Sequence, residues 1–79
     1  MKLVLIEWVD SKRMSDGWIY TEDMAPAIVL CQSVGWLVKS KGGILTVMPH
    51  CDKYKKQNYG AISIPECAVK RIFELKKKK

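Results

Sequence analysis

Short apolar runs separated by turn-forming stretches follow one another along the chain, and this pattern predicts an all-β fold. Residues 3–9 (LVLIEWV) are apolar on both alternations except at Glu7, which predicts a strand packed on two sides. Residues 28–39 are the longest strand candidate, and Gly35 in the middle of that strand predicts a bulge or a bend. Three further strands are predicted at residues 44–48, 61–64 and 69–75.

The segments between these strands contain residues that are typical of turns. Residues 40–43 (SKGG) are a strong hairpin signal between the second and third strands. Residues 10–17 are polar, residues 18–20 form a brief extended piece, and residues 21–26 predict another turn that ends at Pro26. Residues 65–68 (PECA) allow a single helical turn before the last strand.

This order of elements resembles a small five-stranded barrel of the Sm-like or Src-homology-3-like type, in which the last strand returns to pair with the first. The resemblance covers the whole chain and carries no diagnostic motif. The chain has neither the N-terminal helix and glycine-aspartate box of Sm proteins nor the aromatic peptide-binding motif of Src-homology domains. The expected organisation is one barrel domain at residues 1–75 and a disordered basic tail at residues 76–79.

The length of the chain, 79 residues, limits the core that it can form. A domain of this size buries only about 60% of the surface that its unfolded chain exposes, so self-association into a homo-oligomer is expected to help. No signal peptide or membrane-spanning run is apparent, which favours a cytoplasmic protein with reduced thiols. Cys31, Cys51, Cys67 and His50 lack the paired spacing of zinc ligands, so no metal and no cofactor is expected.

The net charge of +6 is unevenly distributed. Residues 1–30 have a balance of −2, whereas residues 31–79 have a balance of +8, of which +4 remains without the four terminal lysines. The second half is therefore expected to attract anions, and not only through its tail.

Residues 50–59 (HCDKYKKQNY) are the most distinctive stretch in this basic half. Neighbouring residues on a strand point to opposite faces, so His50 and Cys51 are not expected to act as a catalytic pair, and no enzymatic activity is predicted. Lysines supply charge for phosphates and aromatic faces stack on bases, so a binding site for an anionic nucleotide is the preferred interpretation. A solvated loop whose lysines only maintain solubility is the alternative. The candidate ligand-binding residues are Arg13, Trp18, Ser33, Trp36, His50, Lys53, Tyr54, Lys55, Lys56, Asn58 and Tyr59.

The amino-acid sequence also resembles those of small proteins encoded in bacteriophage and prophage genomes. It is carried by the dipeptides Glu7-Trp8, Gly17-Trp18, Pro49-His50 and Ile64-Pro65 and by the stretch SVGW at residues 33–36. The resemblance implies an accessory protein in the cytoplasm of the host bacterium. By analogy with the sponge proteins of phages, the expected role is sequestration of a nucleotide signal of host immunity. The alternatives are an RNA- or DNA-binding Sm-like protein and an inhibitor that docks on a host protein through Trp18, Trp36 and the first loop, residues 10–17.

Overall fold

A computed structural model describes residues 1–12 and 15–78, without the side chains of residues 39 and 40. Its regular structure consists of strands and two 3-10 helices, Thr21–Asp23 and Glu66–Ala68. The predicted helical turn before the last strand is thus confirmed at Glu66–Ala68. The strands are β1 (Lys2–Ser11), β2 (Ile28–Lys41), β3 (Ile44–Met48), β4 (His50–Cys51), β5 (Asn58–Tyr59), β6 (Ile62–Pro65) and β7 (Val69–Glu74).

Five of the strands form one antiparallel sheet in the order β6-β3-β2-β1-β7, and β4 pairs with β5 in a small separate ladder. The all-β prediction is confirmed, and the last strand, β7, does return to pair with the first. No closed barrel is found in the described part of the chain, where β6 and β7 are the two edges of the main sheet. What the structure establishes is therefore a five-stranded antiparallel sheet.

The β2–β3 hairpin forms where the glycine pair predicts it. Gly42 and Gly43 have φ angles of 63° and 75° between the paired residues Lys41 and Ile44. Two consecutive positive φ angles belong to a tight turn whose twist matches that of the flanking strands, and glycine adopts them without steric cost.

The irregularity of β2 lies at a different position from the bulge that was predicted at Gly35. The register between β1 and β2 is continuous through the Val4–Gly35 pair, and the irregularity of β2 against β3 falls between Val38 and Lys41. Gly35 has another role, because a Cβ atom there would lie 2.6 Å from the backbone oxygen of Met48. The residue permits close approach of the β3 backbone.

The core is small and lies on one face of the sheet. Val4 and Ile6 of β1 are buried, whereas the alternate residues Leu3 and Leu5 are only half-buried. The two-sided packing expected for β1 is thus only partial. The buried cluster consists of Val4, Ile6, Leu45, Val47 and Ile64.

Candidate nucleotide-binding site

The candidate site is the lysine loop, defined as residues 50–59, which begins and ends in the β4–β5 ladder. His50 pairs with Tyr59, and Cys51 pairs with Asn58. Paired residues of an antiparallel ladder share a face, so His50 and Tyr59 lie together while Cys51 projects to the other side. The ladder closes the base of the loop and fixes its direction.

Asp52 organises the segment between these strands. One carboxylate oxygen accepts hydrogen bonds from the backbone N–H groups of Lys56 (2.6 Å) and Gln57 (2.8 Å), and the other accepts one from that of Tyr54 (3.3 Å). The backbone N–H of Asp52 donates to the Gln57 carbonyl at 3.1 Å, and that of Lys55 donates to the Asp52 carbonyl at 2.9 Å. The loop is therefore built around one acidic side chain, an arrangement that aspartate readily supports in turns.

These contacts have an electrostatic consequence. The hydrogen bond from the Gln57 backbone N–H is the largest cause that lowers the pKa of the Asp52 carboxyl from its ordinary value. Desolvation opposes this shift, and the hydrogen bonds from the backbone N–H groups of Lys56 and Tyr54 lower the pKa further. Because Asp52 uses its carboxylate on backbone amides, it forms no ion pair with a lysine of the loop among the described residues.

The lysines of the loop lie beside aromatic rings. The ammonium nitrogen of Lys55 is 5.4 Å from the centroid of the Trp36 ring, and that of Lys53 is 5.9 Å from the Tyr54 ring. Contacts of this kind contribute about 0.5–1 kcal/mol at exposed sites. Because these contacts leave the lysine charges without an acidic partner within the described residues, the loop presents cations next to the exposed ring of Tyr54 and the half-buried ring of Trp36.

Tyr54 and Tyr59 are both exposed, as Lys53, Lys56 and Asn58 are. Lys55 is half-buried, has a positive φ of 59° and places its ammonium group over the Trp36 ring. The structure thus brings seven of the candidate residues together on one loop and places an eighth, Trp36, against it.

The remaining candidates lie elsewhere. Ser33 accepts a hydrogen bond from the indole nitrogen of Trp8 at 3.1 Å, so its hydroxyl already has a partner within the sheet. Trp18 is fully exposed in the connection between β1 and β2 and lines a shallow depression with Ile19 and Tyr20. Arg13 lies outside the described residues.

A second surface feature was not predicted from the sequence. An open cleft of about 680 Å³ lies where β1, β2 and β7 are adjacent. Within it Glu7 pairs with Arg71, with 2.8 Å between Oε1 and Nε, and accepts a hydrogen bond from Gln32 at 3.1 Å. The one available signal was Glu7, the single acid in the otherwise apolar run at residues 3–9. The lining residues are Glu7, Trp8, Leu30, Cys31, Gln32, Lys70 and Arg71.

The described residues contain no group of three or more histidine, cysteine, aspartate or glutamate side chains arranged to hold a metal ion. The three cysteines are free thiols. The described residues also include no helix with the length and apolar character needed to cross a membrane.

Comparison with known proteins gave no relatives: the chain matches no protein-family model, no curated protein and no solved structure.

Proposed function

We propose that this protein is a non-enzymatic, self-associating nucleotide-binding protein whose lysine loop holds the phosphates of its ligand. In the phage setting suggested by the sequence resemblance, it sequesters a nucleotide immune signal in the cytoplasm of the host bacterium. The observation that carries the proposal is the loop built around Asp52, which presents lysines beside exposed aromatic rings.

The charges of the loop support binding of phosphate. Lys53, Lys55 and Lys56 have no acidic partner in the described part of the chain, so no internal ion pair has to break when an anion arrives. The Asp52 hydrogen bonds hold the loop backbone in place before binding, which lowers the ordering cost of association.

The aromatic residues support recognition of a base. The exposed rings of Tyr54 and Tyr59 lie on the same loop as the lysines, and stacking of a base on such a ring contributes about 1–3 kcal/mol. The Asn58 side chain adds an amide that can hydrogen-bond a base edge. Phosphate and base contacts together favour a nucleotide over a simple anion such as sulfate.

We also propose that the sheet is the framework of a small Sm-like or Src-homology-3-like barrel. The strand order, the pairing of β7 with β1 and the 3-10 helix before β7 support this. Hydrogen exchange tests it, because barrel closure would protect the amides of the edge strands β6 and β7 as strongly as those of the central strand β1. Rapid exchange at both edges would contradict closure.

Nucleic-acid binding is the second candidate, and the openness of the loop favours it. Neither the cleft beside β7 nor the depression at Trp18 contains a residue of the lysine loop. An exposed surface of this kind suits a polyanion that runs across it. Affinity for nucleic acid should increase with oligonucleotide length and fall steeply with salt, whereas affinity for a small nucleotide should show neither dependence strongly.

The test compares two triple variants with the wild-type protein. Lys53→Ala/Lys55→Ala/Lys56→Ala removes the loop charges, and Lys76→Ala/Lys77→Ala/Lys78→Ala removes the same charge from the end of the chain. Each is titrated with cyclic di-GMP, as a small nucleotide, and with oligothymidylates of increasing length. We expect the loop variant alone to lose binding while its circular dichroism spectrum shows the sheet content of wild type.

A companion measurement identifies the natural ligand. Mass spectrometry of small molecules released by denaturing protein purified from bacteria that make cyclic nucleotides should reveal a stoichiometric nucleotide. Equal binding by both triple variants would leave the loop as a solvated surface. If the wild-type protein bound neither probe and released no nucleotide, docking on a host protein through Trp18 would be the supported function.

A further inference from the structure

We infer that residues 28–34 of β2 form an open sheet edge that pairs, antiparallel, with the same stretch of a second copy of this chain. The inference rests on the self-association included in the proposed function and names the surface responsible for it. It concerns a part of β2 that does not overlap the lysine loop.

The edge is open because β2 extends beyond β3. On one side β2 pairs with β1 from Ile28 to Leu37, but on the other it pairs with β3 only from Trp36 to Lys41. Among the described residues no strand covers the second side of residues 28–34. That side therefore presents unpaired backbone donors and acceptors, which form a template for another strand.

The edge also lacks the features that normally prevent pairing. Residues 28–34 (IVLCQSV) contain no charged residue, proline or glycine. The free edge of β7, in contrast, belongs to a strand with Lys70, Arg71 and Glu74, and β6 is short and ends at Pro65. Charges, proline and short length are the usual protections of an edge strand.

The side chains on this stretch are unusually exposed for apolar residues. Leu30 is 75% exposed, Ile28 62%, Val34 49% and Val29 41%. Contiguous apolar exposure of this kind is typical of a surface that is covered by a partner.

The size of the exposed surface agrees with a second copy as the partner. The chain exposes 6917 Å², whereas a compact 9.0 kDa monomer exposes about 4,900 Å². Its radius of gyration is 16.2 Å, against about 12 Å for a compact domain of this length. The exposed area therefore exceeds that of a compact monomer by roughly 2,000 Å². The connection between β1 and β2 and the lysine-rich end account for part of this excess. Each partner in a standard interface buries about 800 Å², so the excess is large enough to include such an interface.

The stretch is complementary to itself. Residue 31 is the midpoint of residues 28–34, so an antiparallel pair centred there places Ile28 opposite Val34 and Leu30 opposite Gln32. Because no charge is present, no like charges oppose each other across the pair. Each chain contributes the same stretch, as two-fold symmetry requires.

The symmetric pairing makes a specific prediction for Cys31, which would face its own copy. Residues directly opposite in an antiparallel pair have Cα atoms about 4.5–5.5 Å apart, within the about 4.4–6.8 Å range that a disulfide spans. The test uses the full-length Cys51→Ser/Cys67→Ser variant, in which Cys31 is the remaining thiol. Diamide accepts two electrons and two protons from a pair of thiols, so oxidation should give a covalent dimer on a non-reducing gel.

A substitution in the open edge of β2 provides a second test of the pairing. Leu30→Lys adds a charge to an exposed position of the strand, and we expect it to convert the dimer to a monomer by light scattering and to abolish the cross-link. Ile44→Lys, which changes a 48% exposed apolar residue of β3, is the matched control and should retain both. Circular dichroism verifies that both variants keep their sheet content.

The outcomes separate the inference from the proposed function. A dimer that survives Leu30→Lys and does not cross-link through Cys31 would overturn the pairing of β2 while leaving self-association intact. A wild-type protein that is monomeric in solution would overturn both the pairing of β2 and self-association. Nucleotide binding is measured independently in the titrations of the lysine-loop variants.

Discussion

Substitution of Gly35 by alanine should destabilise the protein, although glycine-to-alanine changes within a strand usually stabilise. A Cβ atom at Gly35 would lie 2.6 Å from both the Met48 carbonyl oxygen and Val47 Cγ1, and 2.8 Å from the Met48 carbonyl carbon. Carbon and carbonyl oxygen ordinarily come no closer than about 3.3 Å. The strands β2 and β3 would therefore have to separate by roughly 0.7 Å at this point.

The neighbours of Gly35 have little room to yield. Val47 is buried, the obstructing oxygen belongs to the backbone, and Val4 pairs with Gly35 from the opposite side. Overpacking of this kind costs about 1–3 kcal/mol. The whole free energy of unfolding of a chain of this length is of the order of 4–12 kcal/mol, so the alanine variant should lose a substantial fraction of it. Gly35→Val adds two further methyl groups and should leave the protein largely unfolded.

Urea unfolding followed by tryptophan fluorescence measures this effect. Gly17→Ala is the matched control, because a Cβ atom there meets no atom within 4 Å, and we expect its stability to stay within about 0.5 kcal/mol of wild type. If Gly35→Ala were as stable as Gly17→Ala, the close approach of β3 to β2 would be refuted.

Two further changes test the loop and the sheet. Asp52→Asn should weaken the order of the lysine loop, seen as shifts of the Lys56 and Gln57 amide signals in NMR spectra with little change at the core. Because the pKa of Asp52 is lowered in the folded protein, its contribution is complete above the ordinary aspartate value of about 3.9 and is lost as the pH falls through the lower folded value; unchanged loop signals in strong acid would contradict this. Trp8→Phe and Ser33→Ala should show a coupling energy of about 1 kcal/mol in a double-mutant cycle of urea unfolding, whereas additive effects would mean that their hydrogen bond contributes nothing.

Much of the sheet could be predicted because its signals are local. The glycine pair at residues 42 and 43 has the positive φ angles that a tight hairpin needs, and the apolar runs at residues 3–9 and 44–48 lie within strands. Strand identity and turn chemistry are set by near neighbours along the chain, so the pattern is sufficient to identify them.

Features that depend on contacts between residues distant in sequence could not be predicted from local patterns. Gly35 in a strand predicts a bulge or a bend, and the close approach of the Met48 backbone to it is seen only in the folded structure. The cleft at Glu7 and Arg71 requires β1 and β7 to be adjacent in a defined register. No hairpin joins these two strands, so turn chemistry does not define that register.

The candidate site contains some features that the sequence predicts and others that depend on the fold. Seven of its predicted residues lie within the lysine loop, so their proximity follows from the sequence. The contribution of Asp52 was not predicted, since its hydrogen bonds to three backbone N–H groups appear only once the loop conformation is known. The contact of Lys55 with Trp36 also depends on folding, because β2 is distant from the loop in sequence.

The most direct test of the proposed function is an NMR titration of the isotopically labelled full-length protein with cyclic di-GMP and, separately, with oligothymidylate. Saturable shifts concentrated at the amides of residues 52–59, and absent from the Lys53→Ala/Lys55→Ala/Lys56→Ala variant, are the expected result. Shifts centred on any other surface, or none with either probe, would contradict a nucleotide-binding role for the lysine loop.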